Sequence, residues 1–300
     1  MNVRFLELFA LNRASRVEWI PTFPAGATIP PFIHQTFHSE PWPDEIRANI
    51  DKIKRLNPTW SHRFYDYEAR RVFIKKHYGD RVLALYDSVN VEYGAARADL
   101  FRYLLMYKEG GVYLDMKSST DRSLSEVIRS DDVYLLSNWQ HGPDDPFKGW
   151  GQHSEVTNLR YGELQQWFIA AAPGHPFLKQ VIERVLRNIS VYMYSLHSYG
   201  SYAVFRVTGP VAYSLAIEPL LAHCNYRFVD SKKDLGLVYS VYQDARFHTK
   251  TKSHYSHLRS ALVVADRKRR FFDAFIGVLK AFYIYARRGR RYRGQAALGS

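Results

Sequence analysis

The stretch RADLFRYLLMYKEGGVYLDMKSS, residues 97–119, decides how this chain is read. At about 100° per residue, Leu100, Phe101, Tyr103, Leu104, Leu105 and Tyr107 cover most of a helix predicted over 95–107. A helix that is apolar nearly all round is buried, so its few polar residues must pair or meet a ligand. Asp99 and Arg102, three residues apart, share the remaining face with Ala95 and Met106. Taken alone, that spacing reads as an ion pair supporting the helix. The residues that follow shift the reading. Gly110 and Gly111 permit a sharp turn at the helix end, and a strand over 111–115 then carries Asp115 to its carboxyl end. Ligands of open α/β sheets bind beyond the carboxyl ends of the strands. Asp99, Arg102 and Asp115 are therefore expected to converge on one crevice.

Outward from this segment, short apolar runs alternate with helical periods, which defines an α/β class. Strands are expected over 30–37, 61–66, 132–139 and 235–242. Helices are expected over 43–58 with Asp44 as N-cap, over 68–78, through RVLALYDSV, and over 208–221 with Thr208 near its cap. The run ELQQWFIAAAPGHPFLKQVIERVLRNI reads as two helical pieces split at Pro173–Gly174. Residues 140–155, rich in Gly, Pro and Asp, form a loop long enough to be functional. No internal repeat or low-complexity linker is present.

Composition limits the function classes. The 300 residues are 46% hydrophobic and 24% charged, enough for a substantial core and against global disorder. One cysteine, Cys224, allows no disulfide within the chain, favours a reducing compartment, and reads as a small buried hydrophobe. The N-terminal run is interrupted by Glu7 and Asn12 and resembles no signal peptide, and no stretch reaches the roughly 20 apolar residues of a membrane span. The expected location is cytoplasmic, with docking on the inner face of a membrane. Of the net charge of +13, residues 267–293 carry +9, from ten Lys/Arg against Asp273. The basicity belongs mainly to the tail.

The pattern RADLFRY…GGVYLD resembles the sugar-nucleotide-binding core of family 32 glycosyltransferases, the capsular-polysaccharide-type group, whose core the clostridial glucosylating toxins share in related form. IPPFIHQTF (29–37), NPTWSHRFYDYEARRVF (57–73), AAPGHPFLKQVIERV (171–185) and VTGP (207–210) are similar to further family segments, in the family's order. The resemblance runs from about residue 29 to about residue 211. It implies a GT-A fold, a Rossmann-like nucleotide-sugar-binding sheet with a helical acceptor side. It also implies transfer of a sugar from a UDP- or GDP-sugar to a glycan or glycolipid hydroxyl, with retention. Carried over residue by residue, it places His34, Gln35, Asp66, Arg97, Asp99, Arg102, Tyr103, Gly111, Asp115 and Lys117 around the donor. Asp115, Arg102 and Gln166 become the catalytic candidates. The domain boundaries follow as one glycosyltransferase domain over 1–265, with the donor core at 29–140, and a basic helix and tail over 266–300.

The departure from the family is Lys117. The family's DxD pair ends in an acid that binds Mn²⁺ or Mg²⁺, but here Asp115-Met116-Lys117 offers Asp115 alone for a metal. A protonated lysine cannot ligate a cation, although it can place positive charge beside a phosphate. The basic loop HTKTKSHYSHL adds Lys252, His254 and His257 as phosphate-binding candidates, and reads equally as an ordinary basic surface. Trp139, Trp150 and Trp167 bracket the long loop and are acceptor candidates, since aromatic faces suit sugar rings, although buried aromatics are more often core. In the tail, FFDAFIGVLKAFYIYA (271–286) is apolar except for one narrow face of Asp273, Gly277 and Lys280. That pattern fits an interfacial helix attracted to anionic lipid, and nearly as well a helix packed on the body. Three readings stay open: a glycosyltransferase, an inactive transferase-like fold binding polyanions or membranes, and an effector that glycosylates protein. No nucleic-acid-binding motif is recognised in the body.

Overall fold

The computed structural model describes residues 18–37, 41–139, 147–242, 255–267 and 269–280. Its strands are β1 (Phe32–Thr36), β2 (Ser61–Tyr65), β3 (Gly111–Leu114), β4 (Ser119–Thr120), β5 (Tyr134–Leu136), β6 (Phe168–Ala171), β7 (Arg227–Phe228) and β8 (Leu237–Val238). Its helices are α1 (Asp44–Leu56), α2 (Tyr67–Ser88), α3 (Gly94–Glu109), α4 (Leu124–Val127), α5 (Pro176–Val191), α6 (Tyr194–His197), α7 (Gly200–Val207) and α8 (Pro210–Ile217). Residues 269–280 are also helical. The central sheet is mixed, in the order β2-β1-β3-β6-β5-β7. β1 lies parallel to β2 and β3, whereas β6 runs antiparallel to β3 and β5. β4 and β8 form a separate antiparallel pair.

Residues 97–119 lie at the centre of the packing, as α3, β3 and β4 with their connections. Every residue of α3 from Leu100 to Tyr107 is buried. The helix packs against α2 and α5 and against β3 and β6 of the sheet. At its end Gly110 and Gly111 take positive φ angles of 65° and 98°. A Cβ on Gly111 would stand 2.6 Å from the Phe32 carbonyl oxygen, so only glycine allows β3 to lie this close to β1. Gly111, expected at the donor, instead sets strand packing.

Other expectations are corrected. The N-cap of α1 is Pro43, and Asp44 lies in the first turn, paired with Arg47 at 2.7 Å. The two helices expected after residue 67 form one element, broken at Gly79 with φ 79°. WFIAA does not begin a helix. It supplies β6, which is buried along its whole length. A short central strand is apolar on both faces, so periodicity alone does not distinguish it from a buried helix. Of the strand expected over 235–242, only Leu237–Val238 pairs with another strand. The residues after it remain tied to the DxD-like turn: Val241 donates its N–H to the Lys117 carbonyl at 2.8 Å, and the Ser118 hydroxyl donates to the Tyr239 carbonyl at 2.8 Å. Those bonds carry Tyr239 to the site. Helix α8 begins at Pro210 with Gly209 as its cap residue, which leaves Thr208 for another role.

Candidate active site

A cleft of about 1070 Å³ opens beyond β3. Arg97, Asp99 and Arg102 from α3, Asp115 and Lys117 after β3, and Gln166 just before β6 all line it. Its floor is an ion network. Arg102 contacts Asp99 at 3.1 Å and Asp115 at 3.0 Å, donates to the Gln166 carbonyl at 2.8 Å, and lies 4.8 Å from the Tyr113 ring centre. Asp99 accepts from the Thr208 hydroxyl at 2.9 Å and from the Gln166 amide at 3.2 Å. Burial pushes the Asp99 carboxyl up, and the Arg102 guanidinium and these donors pull it back. Nearby anions raise Arg102, chiefly Asp115, and outweigh its own burial. Asp115 accepts from the Tyr113 hydroxyl at 3.2 Å, and its backbone N–H donates to the Trp167 carbonyl at 2.9 Å. Both carboxylates and Gln166 are thus oriented by one guanidinium held between two elements.

Lys117 extends along the cleft wall. Its ammonium donates to the Tyr239 hydroxyl at 2.8 Å and sits 4.1 Å from that ring's centre. Burial lowers its pKa, and the Asp115 carboxylate beside it acts the other way. Trp139, Trp150 and Trp167 also line the cleft. Trp139 and Trp167 are buried, whereas Trp150 is 42% exposed. Trp139, Phe147, Trp150 and Trp167 each lie 5.3 to 5.5 Å from Tyr239, ring centre to ring centre. The result is an aromatic wall beside the lysine.

Several expected donor residues are elsewhere. His34 is wholly buried, with one ring nitrogen 3.0 Å from the Gly110 carbonyl and the other 3.3 Å from the Tyr65 hydroxyl. Burial lowers its pKa to about 3, so it is neutral. Gln35, also buried, donates to the Asp115 carbonyl at 3.3 Å and meets His62 at 2.9 Å. Both brace the strands, and Thr36 and Phe37 reach the cleft in their place. Asp66 caps α2 by accepting from Ala69 N–H at 2.8 Å, while its neighbour Tyr67 lines the cleft. Tyr103 is buried behind the floor and donates to Gln166 and to the Thr208 carbonyl. Lys252 and His254 lie outside the described residues. His257 is exposed and does not line the cleft, whereas Tyr255 does.

Sequence reasoning missed Arg70 and Glu163. Arg70 lines the cleft and donates to the Phe37 carbonyl at 2.6 Å. The run EARR gave no sign of which arginine turned inward. Glu163, beside Gly151, accepts from the Trp139 indole at 3.0 Å and lies 3.2 Å from His153. Burial raises its pKa to about 7. Among the described residues, five buried lining atoms have no hydrogen-bond partner: Arg70 Nε, Arg97 Nη1, Glu163 Oε2, Gln165 Oε1 and Trp167 Nε1. Buried polar atoms are nearly always paired, so a ligand is the natural partner for such a group.

DXD glycosyltransferases generally use divalent cations. Such a cation needs several oxygen ligands. Among the described residues no three His, Cys, Asp or Glu side chains gather to hold one. Asp115 is bound to Arg102, and the second acid's place holds an ammonium. The described donor set does not fit a divalent cation.

Residues 43–134 match the model described as a glycosyltransferase sugar-binding region containing the DXD motif. The initiation-specific alpha-1,6-mannosyltransferase of Schizosaccharomyces pombe is 28% identical over 54% of this chain and 41% of its own length. Inositol phosphoceramide mannosyltransferase 3 of the same yeast is 28% identical over 63% of this chain and 45% of its own. Mannosyl phosphorylinositol ceramide synthase of Saccharomyces cerevisiae is 30% identical over 60% and 51%. The chain therefore spans about half the length of these curated relatives. The ligand-free glycosyltransferase domain of the YGT toxin superposes with a TM-score of 0.52 at 9% identity, over 72% of this chain and 82% of that domain. The fold is that of GT-A glycosyltransferase domains. In sequence, residues 43–134 match this glycosyltransferase region, and the chain is similar to curated mannosyltransferases along part of its length.

Proposed function

We propose that this chain transfers a sugar from a nucleoside diphosphate sugar to a hydroxyl of a glycan or glycolipid, with retention at the anomeric carbon. Mannose is the first sugar to test, because the relatives are mannosyltransferases. The observation that carries this reading is the convergence of Asp99, Arg102, Asp115, Lys117 and Gln166 on one cleft whose arginines keep unpaired donors. In the proposed reaction the bond from the anomeric carbon to the diphosphate breaks. The acceptor oxygen bonds to that carbon, and its proton passes to the departing diphosphate. Negative charge grows on the leaving group, and fixed positive charge lowers the barrier because it needs no reorganisation. Arg70 Nε and Arg97 Nη1 would bind the diphosphate, and Lys117 would supply part of the charge that a metal brings elsewhere. Arg102 holds Asp99, Asp115 and Gln166 in place for the sugar hydroxyls.

The test is hydrolysis of UDP- and GDP-sugars, GDP-mannose included, with and without Mn²⁺. Turnover in a chelator, abolished by Asp115→Ala, is the expected result. Strict metal dependence would remove the role given to Lys117. Salt-sensitive binding of polyanions without any turnover would favour a binding module instead.

A further inference from the structure

The helical residues 269–280 are attached to the body in an inverted sense. An amphipathic helix on a globular body normally buries its apolar stripe. Here the polar stripe faces inward. The Asp273 carboxylate accepts the backbone N–H groups of Tyr194 and Ser195, each at 2.8 Å, and the Ser195 hydroxyl. It therefore caps the first turn of α6. One turn on, a Cβ at Gly277 would stand 3.6 Å from that of Ser195, and Lys280 donates to the Ser195 carbonyl at 2.9 Å. Arg269 donates to the Ile189 carbonyl at 3.2 Å, at the end of α5.

The opposite face is left outward. Phe271 is 72% exposed, Phe272 57%, Phe275 55%, Val278 55% and Leu279 49%. Such a patch on one helix marks an interaction site, because scattered exposed hydrophobics do not cluster in this way. The charge around it selects the partner. Residues 267–270 read Arg-Lys-Arg-Arg, and the stretch 267–293 carries +9. Aromatic and aliphatic side chains flanked by arginines suit the headgroup boundary of an anionic bilayer. No described helix is long and apolar enough to cross a membrane.

We propose that the outward face of residues 271–279 docks this protein on the surface of an anionic lipid bilayer. The attachment also reaches the cleft. α6 runs through two residues into α7, whose Ser201, Val204 and Phe205 line it.

The test uses the full chain with vesicles of phosphatidylcholine, alone or mixed with phosphatidylserine. A triple variant, Phe271→Ser/Phe275→Ser/Val278→Ser, changes only outward residues and leaves Asp273, Gly277 and Lys280 intact. Co-sedimentation with the anionic vesicles is expected, reduced at least about tenfold in the variant, since each lost side chain removes apolar area from the interface. Hydrolysis of a soluble nucleotide sugar is expected to stay unchanged, which separates this inference from the catalytic reading. Failure to bind vesicles overturns it. Equal binding by the variant also overturns it, because the basic tail alone would then suffice. A dimer that the variant abolishes, without vesicle binding, assigns the face to a second copy and overturns it as well.

Discussion

The His34–Gln35 pair on β1 and the floor of the cleft are both buried polar clusters, and they differ in what their atoms still lack. His34 and Gln35 meet Gly110, Tyr65, Asp115 and His62, with both ring nitrogens and both amide atoms engaged. On the cleft side Arg70, Arg97, Glu163, Gln165 and Trp167 each keep one buried atom without a hydrogen-bond partner. Burial of a polar side chain marks importance to the fold. Unpaired atoms that also line the cleft leave donors and acceptors open to a ligand.

Substitutions can break this comparison, and the largest effect falls on the residue common to stability and site. Arg102→Met leaves Asp99 buried without its cation and is expected to cost about 3–5 kcal/mol in denaturant unfolding. Adding Asp99→Asn should restore part of that loss, because the two changes share one interaction. Asp115→Asn is expected to lower donor turnover by about 10²–10³-fold with little change in thermal midpoint, the scale of losing one preorganised group. His34→Ala should show the reverse pattern. Unfolding loses about 1–3 kcal/mol, because the Gly110 carbonyl and the Tyr65 hydroxyl lose a buried partner. Donor affinity measured by calorimetry should stay as it was, and a large fall would return His34 to the donor site.

Glu163 supplies a pH test. Burial raises its pKa to about 7 in the folded state, against 4.5 for the unperturbed group. The folded state therefore keeps a proton that the unfolded chain releases, and this contribution is fully present below about pH 4.5. It is lost as pH rises through about 7. Melting curves of Glu163→Gln should lack that component of the slope. The smallest effect belongs to Tyr239→Phe, which removes the hydroxyl that receives the Lys117 ammonium but keeps the ring. About 1 kcal/mol, or roughly fivefold in donor affinity, is expected.

The central segment was legible because its message is local. An apolar helix with two charged residues, two glycines and a strand ending in Asp115 leaves few ways to fold, and Asp99, Arg102 and Asp115 do meet. The resemblance assigned donor roles to His34, Gln35 and Asp66 from their place in the family pattern, and spacing cannot separate a ligand contact from a brace. Gln35 and Thr36 are adjacent on β1, yet only Thr36 lines the cleft. Arg70 and Arg71 are adjacent on α2, and Arg71 turns to Asp87 at 3.1 Å instead. β6 was misread because four buried apolar residues carry no period. Tyr239 and Thr208 reach the site through pairings more than 100 residues apart, which a single sequence does not display.

The antiparallel insertion of β6 has a consequence for altering acceptor choice. β6 lies directly against β3, and the Trp167 carbonyl holds the Asp115 N–H while the Gln166 carbonyl holds Arg102. Residues 165–167 are therefore tied by backbone carbonyls to Arg102 and Asp115, the groups proposed to act on the donor, and a change there would disturb both. Gly149, Trp150 and Gly151 border the same cleft from a turn outside the sheet. For the transferase proposed above, libraries aimed at new acceptors belong in that turn, where shape can change while Arg102 and Asp115 keep their contacts.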